Sequence, residues 1–224
     1  MNMIEYPNRD ALMADVAIAL AADLRAALEQ NETVSFAVPG GTTPGPVFDA
    51  LSAIDLDWTR VHVLLSDERW VPESNPQSNA ALIRKRLLTG HAAAAQFTPY
   101  FKSDTDSRSA ADALSAELSG LAPLDVLLLG MGADMHTASL FPGSDGLPDA
   151  LSEDAQMLLP ISIDGQDVQR FTLTAPYLRS AKATHVLITG DDKRQAIAVA
   201  QNLSPAEAPI QTVLSNASIH WSAT

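Results

Sequence analysis

Hydrophobic residues recur at every fourth position from Leu12 through Val16, Leu20 and Leu24 to Leu28, inside an Ala- and Leu-rich stretch covering residues 9–30. Side chains four apart share one helical face, so the spacing predicts a long amphipathic helix. The period then changes. Residues 33–38 (TVSFAV) predict a strand ended by Pro39-Gly40-Gly41, and Pro44 stands where a helix with Val47, Phe48 and Leu51 on its apolar face begins. Residues 60–65 (RVHVLL) predict a second short strand, residues 79–88 a helix capped by Asn79 or Ser78, and residues 110–118 another helix. Residues 124–129 (LDVLLL) are almost continuously apolar, as in a strand buried on both faces of a parallel sheet. Residues 170–174 and 184–189 predict further strands, 191–202 a helix entered from Gly190, and 218–221 a last strand. Residues 103–109 read as a polar loop. Strands alternating with helices predict an α/β fold, doubly wound, with a mostly parallel sheet and helices on both faces. With no internal repeat or low-complexity linker, residues 1–224 are expected to form one domain.

Composition narrows the function. Apolar residues make up 46% of the 224, enough for a sizeable core. There is no cysteine, which rules out disulfides, a Cys nucleophile and thiolate metal sites. The formal net charge is -13 with only 14 Lys plus Arg, so a nucleic-acid partner is not expected. No apolar run approaches the roughly 18 residues needed to span a bilayer, and the first residues lack the basic and apolar regions of a signal peptide. A cytoplasmic protein without membrane contact is expected. Any anionic ligand must be met by a few cations focused in one cleft, where local charge outweighs the screened global charge.

In doubly wound sheets, ligands bind beyond the carboxyl ends of the strands. Four such ends carry unusual residues. In Pro39-Gly40-Gly41-Thr42-Thr43-Pro44, glycines admit close backbone approach and a helix begins directly after, which suits a phosphate; a plain tight turn with Thr as cap is the alternative. In Ser66-Asp67-Glu68-Arg69, the arginine suits a phosphate or a developing oxyanion, against a surface pairing with Asp67 or Glu68. His136 lies in the Gly-rich loop after the buried strand, beside Asp134, Thr137 and Ser139; an imidazole there can take a proton from water near neutral pH. Lys193 sits in the first turn of a predicted helix, where the helix dipole disfavours a cation, which points to an anion nearby; Arg170 is a weaker candidate of the same kind. His62, His91, His185 and His220 read as structural. No His-rich metal spacing, nucleophile elbow, Walker A loop or complete dinucleotide fingerprint is present.

Together these segments resemble one family. Pro39-Gly40-Gly41-Thr42-Thr43-Pro44 is similar to the S-G-G-S-T-P loop of 6-phosphogluconolactonases, and Asp67-Glu68-Arg69-Trp70-Val71-Pro72 with Ser78-Asn79 to their D-E-R-x-V-P…S-N segment. The run from Gly130 to Gly143 resembles their G-x-G-x-D-G-H-T-A-S-L-F-P-G signature, while residues 170–174 and Gly190-Asp191-Asp192-Lys193 fit two later segments. The related glucosamine-6-phosphate deaminases follow the histidine with a segment holding a Glu; Thr137-Ala138-Ser139-Leu140-Phe141-Pro142 has no carboxylate there. A catalytically silent sugar-phosphate sensor is a third reading; the acidity of the chain and the early start of its first helix count against it.

The resemblance implies a Rossmann-like sheet of the deaminase/lactonase type and hydrolysis of 6-phospho-D-glucono-1,5-lactone in the oxidative pentose phosphate pathway. It implies a phosphate held by Gly40, Gly41, Thr42, Arg170 and Lys193, with His136 as general base, Arg69 stabilising the oxyanion and Asp67 orienting Arg69 or His136. No metal, cofactor or obligatory protein partner is expected. Two positions depart from the pattern. Met135 stands where the family has Gly; a left-handed backbone there would cost roughly 1 kcal/mol. Pro39 removes one N–H from the first loop.

Overall fold

The computed structural model describes residues 1–163 and 165–224. In chain order the elements are β1 (Asn2–Glu5), α1 (Arg9–Gln30), β2 (Val34–Val38), α2 (Gly45–Ser52), β3 (Val61–Leu65) and β4 (Asp67–Arg69). There follow α3 (Asn79–Arg86), β5 (Gln96–Phe97), α4 (Ser107–Leu118), β6 (Val126–Gly130), α5 (Leu147–Leu151) and β7 (Leu158–Ile161). The chain ends with β8 (Arg170–Leu173), α6 (Ala175–Arg179), β9 (Ala183–Thr189), α7 (Asp191–Ala200), α8 (Gln211–Leu214) and β10 (Ala217–Ser222).

The long helix follows from its stripe. Leu12, Val16, Leu20 and Leu24 are fully buried and Leu28 nearly so. Asn8 starts the helix by accepting from the Ala11 N–H at 2.9 Å, which satisfies one of the donors left open at a helix start. Each buried Leu or Val contributes roughly 2 kcal/mol of transfer free energy, so the stripe rather than intrinsic propensity holds α1 on the sheet.

Seven strands form a wholly parallel sheet in the order β1-β10-β9-β6-β2-β3-β5. Every residue of β2 is buried, whichever way its side chain points, so both faces of the sheet centre are covered. From β2 the chain moves outward through β3 to β5, then returns to place β6 on the other side of β2 and continues to β9 and β10. The boundary between β2 and β6 is therefore the topological switch point, where the following loops diverge and leave a crevice.

A second, antiparallel sheet, in the order β4-β8-β7, was not expected. Residues 170–174 do form a strand, but it pairs here and not in the parallel sheet. Ser66 joins the two sheets: its N–H donates to Val38 O and its carbonyl accepts from Leu173 N, each at 2.8 Å. Residues 107–109, expected in a loop, are the first turn of α4, because the Asp106 carboxylate accepts from the Ser109 N–H and hydroxyl and starts the helix early. Ser78, not Asn79, caps α3 through its hydroxyl. Among the described residues no helix is long and apolar enough to cross a membrane.

Candidate active site

The switch-point crevice is a cavity of about 250 Å³, lined from four strand ends: Gly40 and Gly41 after β2, Asp67 and Arg69 on β4, Gly132 and His136 after β6, and Lys193 on α7. Arg170 joins from β8, and Leu129, Met131 and Leu187 give the crevice an apolar floor. Of the eight residues singled out in the sequence, Thr42 alone does not line it; the neighbouring Thr43 does. Gly41, at the turn before them, adopts φ +85, a left-handed backbone that favours glycine. α2 begins immediately beyond: Gly45 N–H donates to Thr42 O at 3.3 Å, Pro46 has no N–H, and Phe48 N–H bonds to the carbonyl of the cavity-lining Pro44 at 3.0 Å.

The histidine loop is tied down at several points. Gly132 N–H donates to His136 O and Met135 N–H to Gly132 O, both at 3.0 Å. His136 Nδ1 lies 2.5 Å from Asp134 Oδ1, and the His136 N–H donates to the same oxygen at 3.2 Å. A carboxylate accepts only, so Nδ1 carries the proton and the Nε2 lone pair is open. Nε2 has no partner among the described residues. The ring stacks on Phe141 with centroids 4.0 Å apart and planes 20° from parallel. Two non-glycine residues here take left-handed backbones, Met135 at φ 66 and Ala138 at φ 49. The family glycine replaced by Met135 thus falls at a strained position, yet His136 still faces the cavity.

Asp67 does not bond to Arg69 or His136. Its buried carboxylate accepts from the Ser139 hydroxyl at 2.7 Å and the Ser66 hydroxyl at 3.3 Å, so it ties β4 to the histidine loop. The partner of His136 is Asp134, a neighbour two residues away; a short i to i+2 contact of this kind leaves no periodic mark in the sequence. Glu68 faces away from the cavity. It is 1% exposed and accepts from the N–H groups of Arg69, Asn79 and Ala80 and from the Ser78 hydroxyl. Burial pushes its pKa up, and these donors pull against that without cancelling it.

Arg69 donates through Nη1 to Asn79 Oδ1 at 2.7 Å and to Gln77 O at 3.1 Å. It stands directly opposite Arg170 in the β4–β8 register. Arg170 donates to Gln166 Oε1 at 2.6 Å, lies over the Phe141 ring, and keeps a buried Nε without a partner among the described residues. Burial lowers its pKa first, then the nearby Arg69 charge, with Asp67 opposing. Like charges opposite one another in a sheet repel. An anion placed between them removes that repulsion. Lys193 approaches from the β9 side and makes no ion pair among the described residues.

A doubly wound parallel sheet whose switch point opens into a crevice lined by Arg69, Arg170 and Lys193, with a His–Asp pair at its edge, places the protein among α/β enzymes. Residues 7–221 match the family described as glucosamine-6-phosphate isomerases/6-phosphogluconolactonase, and the chain belongs to that family. The 6-phosphogluconolactonase of Rhizobium meliloti is 38% identical, with 98% of each chain covered. That of Mesorhizobium japonicum is 40% identical over 95% of this chain and 90% of its own. The crystal structure of a 6-phosphogluconolactonase from Shewanella baltica superimposes with a TM-score of 0.94 at 30% identity, covering 100% of this chain and 98% of the other.

Proposed function

We propose that this chain hydrolyses 6-phospho-D-glucono-1,5-lactone to 6-phosphogluconate, as its relatives' names suggest, in the oxidative pentose phosphate pathway. The observation that carries the reading is the imidazole of His136. Its Nδ1 is held by Asp134, its Nε2 is open, and it borders a crevice that gathers Arg69, Arg170 and Lys193.

The phosphate sits against the Gly40-Gly41 backbone, with Thr43 in the role expected of Thr42 and with Lys193 and Arg170 supplying charge. Binding energy from that remote group fixes the ring carbonyl near His136. Nε2 takes a proton from water as the water oxygen bonds to the lactone carbonyl carbon. The carbonyl oxygen gains negative charge, which Arg69 stabilises. The tetrahedral centre then collapses, the bond from carbon to the ring oxygen breaks, and the imidazolium returns its proton to that oxygen. Asp134 keeps the ring in the productive tautomer, and Asp67 acts indirectly, holding the histidine loop through Ser139. A lactone is an activated ester, so a positioned water and a base suffice without metal or nucleotide.

Lactone generated in situ and followed against its spontaneous decay tests the reading. Decay accelerated by wild-type protein and lost in His136→Ala is expected. Decay at the spontaneous rate with wild-type protein would overturn it, and release of ammonia from glucosamine 6-phosphate would assign the isomerase/deaminase chemistry instead.

A further inference from the structure

We propose that Asn79 is a positioning residue that holds Arg69 through a neutral acceptor and so leaves the guanidinium charge free for the substrate. Asn79 is 2% exposed, at the first position of α3. Its side chain bonds in two directions. Nδ2 donates to the Asp67 carbonyl at 2.8 Å, and Oδ1 accepts from Arg69 Nη1 at 2.7 Å. A carbonyl only accepts and a guanidinium only donates, so the amide has one workable orientation. That orientation fixes the direction from which Arg69 is held.

The chemistry of the neighbours makes the choice of an amide informative. Arginine pairs most strongly with a carboxylate, and the first turn of a helix also favours one. An Asp at position 79 would satisfy both preferences but has no N–H for the Asp67 carbonyl; Asn meets the carbonyl and the guanidinium together, and does so without charge. The nearest carboxylates are otherwise engaged, Glu68 by four donors and Asp67 by two serine hydroxyls. Among the described residues Arg69 therefore touches only uncharged oxygens, those of Asn79 and Gln77. Its charge is anchored without being neutralised.

The same amide also sets the distance between β4 and the loop after β2. A β-carbon on Gly40 would fall inside the van der Waals envelope of all three terminal atoms of the Asn79 side chain. Gly40 is thus needed as much for the approach of Asn79 as for that of a ligand. One side chain joins the loop proposed for the phosphate, the strand carrying Arg69 and the start of α3.

The inference rests on the lactonase reading of Arg69, and its test separates the two. The variants are Asn79→Asp, which keeps the shape and the acceptor for Arg69 but adds a charge and loses the donor to the Asp67 carbonyl, and Asn79→Ala, which removes donor and acceptor together. With lactone as substrate, N79D is expected to lose turnover by on the order of 10–100-fold, and its melting temperature to fall by a few degrees because the buried bond to the Asp67 carbonyl is lost. A merely space-filling Asn would be rescued by Asp, so turnover of N79D within twofold of wild type would overturn the proposal. Separately, nitrogen-15 spectra of the arginine side chains, assigned with Arg69→Lys, report how Arg69 is held without any reaction. Restricted Nη1 rotation in wild type that is released in N79A is expected; an unchanged signal overturns the proposal. Wild-type protein without lactonase activity sinks the parent reading, and the spectra still decide whether Asn79 anchors Arg69.

Discussion

The His136 imidazole and the Asp134 carboxylate occupy the space that a side chain on Gly132 would need. A β-carbon at Gly132 would fall inside van der Waals contact with His136 Nδ1 and Cε1 and with Asp134 Oδ1. The backbone at Gly132 is not at positive φ, so this glycine is required for clearance and not for conformation. Gly132→Ala is expected to lower lactone hydrolysis about 100-fold by displacing the ring by an ångström or so, while destabilising the fold by less than about 2 kcal/mol. Turnover measured beside urea unfolding checks this. Equal loss of both would show that the glycine matters to folding instead.

A second histidine arrangement lies away from the crevice and acts on stability. Tyr6 Oη donates to His220 Nδ1 at 2.8 Å, His220 Nε2 meets His185 Nδ1 at 2.9 Å, and His185 Nε2 meets Asp23 Oδ2 at 2.7 Å. With both rings neutral, one proton fits each link of this chain; a proton added to His220 goes to Nδ1 and meets the hydrogen of the Tyr6 hydroxyl, which must turn away. Burial first, and then the neighbouring His185, push the His220 pKa down to about 4, against a smaller opposing pull from Asp23. The sign follows. Below about pH 6.5 the unfolded chain binds a proton that the folded chain refuses until about pH 4, so stability falls as pH falls through that window. The slope from this one group approaches about 1.4 kcal/mol per pH unit. Denaturant unfolding from pH 7.5 down to pH 4.5 is expected to be shallower in His220→Asn by up to one proton. An identical slope in the variant would refute the assignment.

Most of the parallel sheet is legible in the sequence because its strands and α1 carry their own periodicity. The stripe of Leu12 to Leu28 gives the bounds of α1, and the apolar runs at β2, β3, β6 and β9 mark buried strands. The small antiparallel sheet is not legible. Its strands are three or four residues long, and β4 reads Asp-Glu-Arg, a charged run buried only because β8 and α3 supply its partners. The crevice is legible as four strand ends because their residues are chemically conspicuous. What the sequence leaves open is set by rotations and distant contacts: which Thr of the pair faces inward, that Asp67 reaches Ser139 across 72 residues, and that Asn79 rather than a carboxylate holds Arg69.

Met135 offers a test in which the usual order of two substitutions reverses. Gly is ordinarily less stabilising than Ala because the unfolded chain gains freedom. At Met135 the backbone sits at φ 66, where any β-carbon is strained. Both variants lose the contacts of the partly buried Met side chain with the core. Only Met135→Gly also relieves the backbone. Met135→Gly is expected to be more stable than Met135→Ala by about 1 kcal/mol, with lactone turnover at least that of wild type, since the Met135 carbonyl that accepts from Ile210 N–H is kept. Thermal unfolding of the two variants decides it, and Ala more stable than Gly would show that the turn relaxes to a different conformation.

Glu68 is the buried charge on which the small sheet and α3 depend. Oε1 accepts from the N–H groups of Arg69 and Asn79, and Oε2 accepts from the Ala80 N–H and the Ser78 hydroxyl. Both oxygens face two donors, an arrangement a carboxylate meets and an amide cannot. Whichever way a glutamine turned in Glu68→Gln, its NH₂ would point at donors, leaving at least two buried hydrogens without an acceptor. Glu68→Gln is therefore expected to destabilise the fold by roughly 2–4 kcal/mol despite being nearly isosteric. Turnover should fall with it, because the Arg69 and Asn79 backbones both hang on Oε1. Urea unfolding of wild type and variant at neutral pH measures the first effect. A difference below about 0.5 kcal/mol would mean that the Ser78 hydroxyl and the α3 backbone find other acceptors, and that the charge of Glu68 is dispensable to the start of the helix.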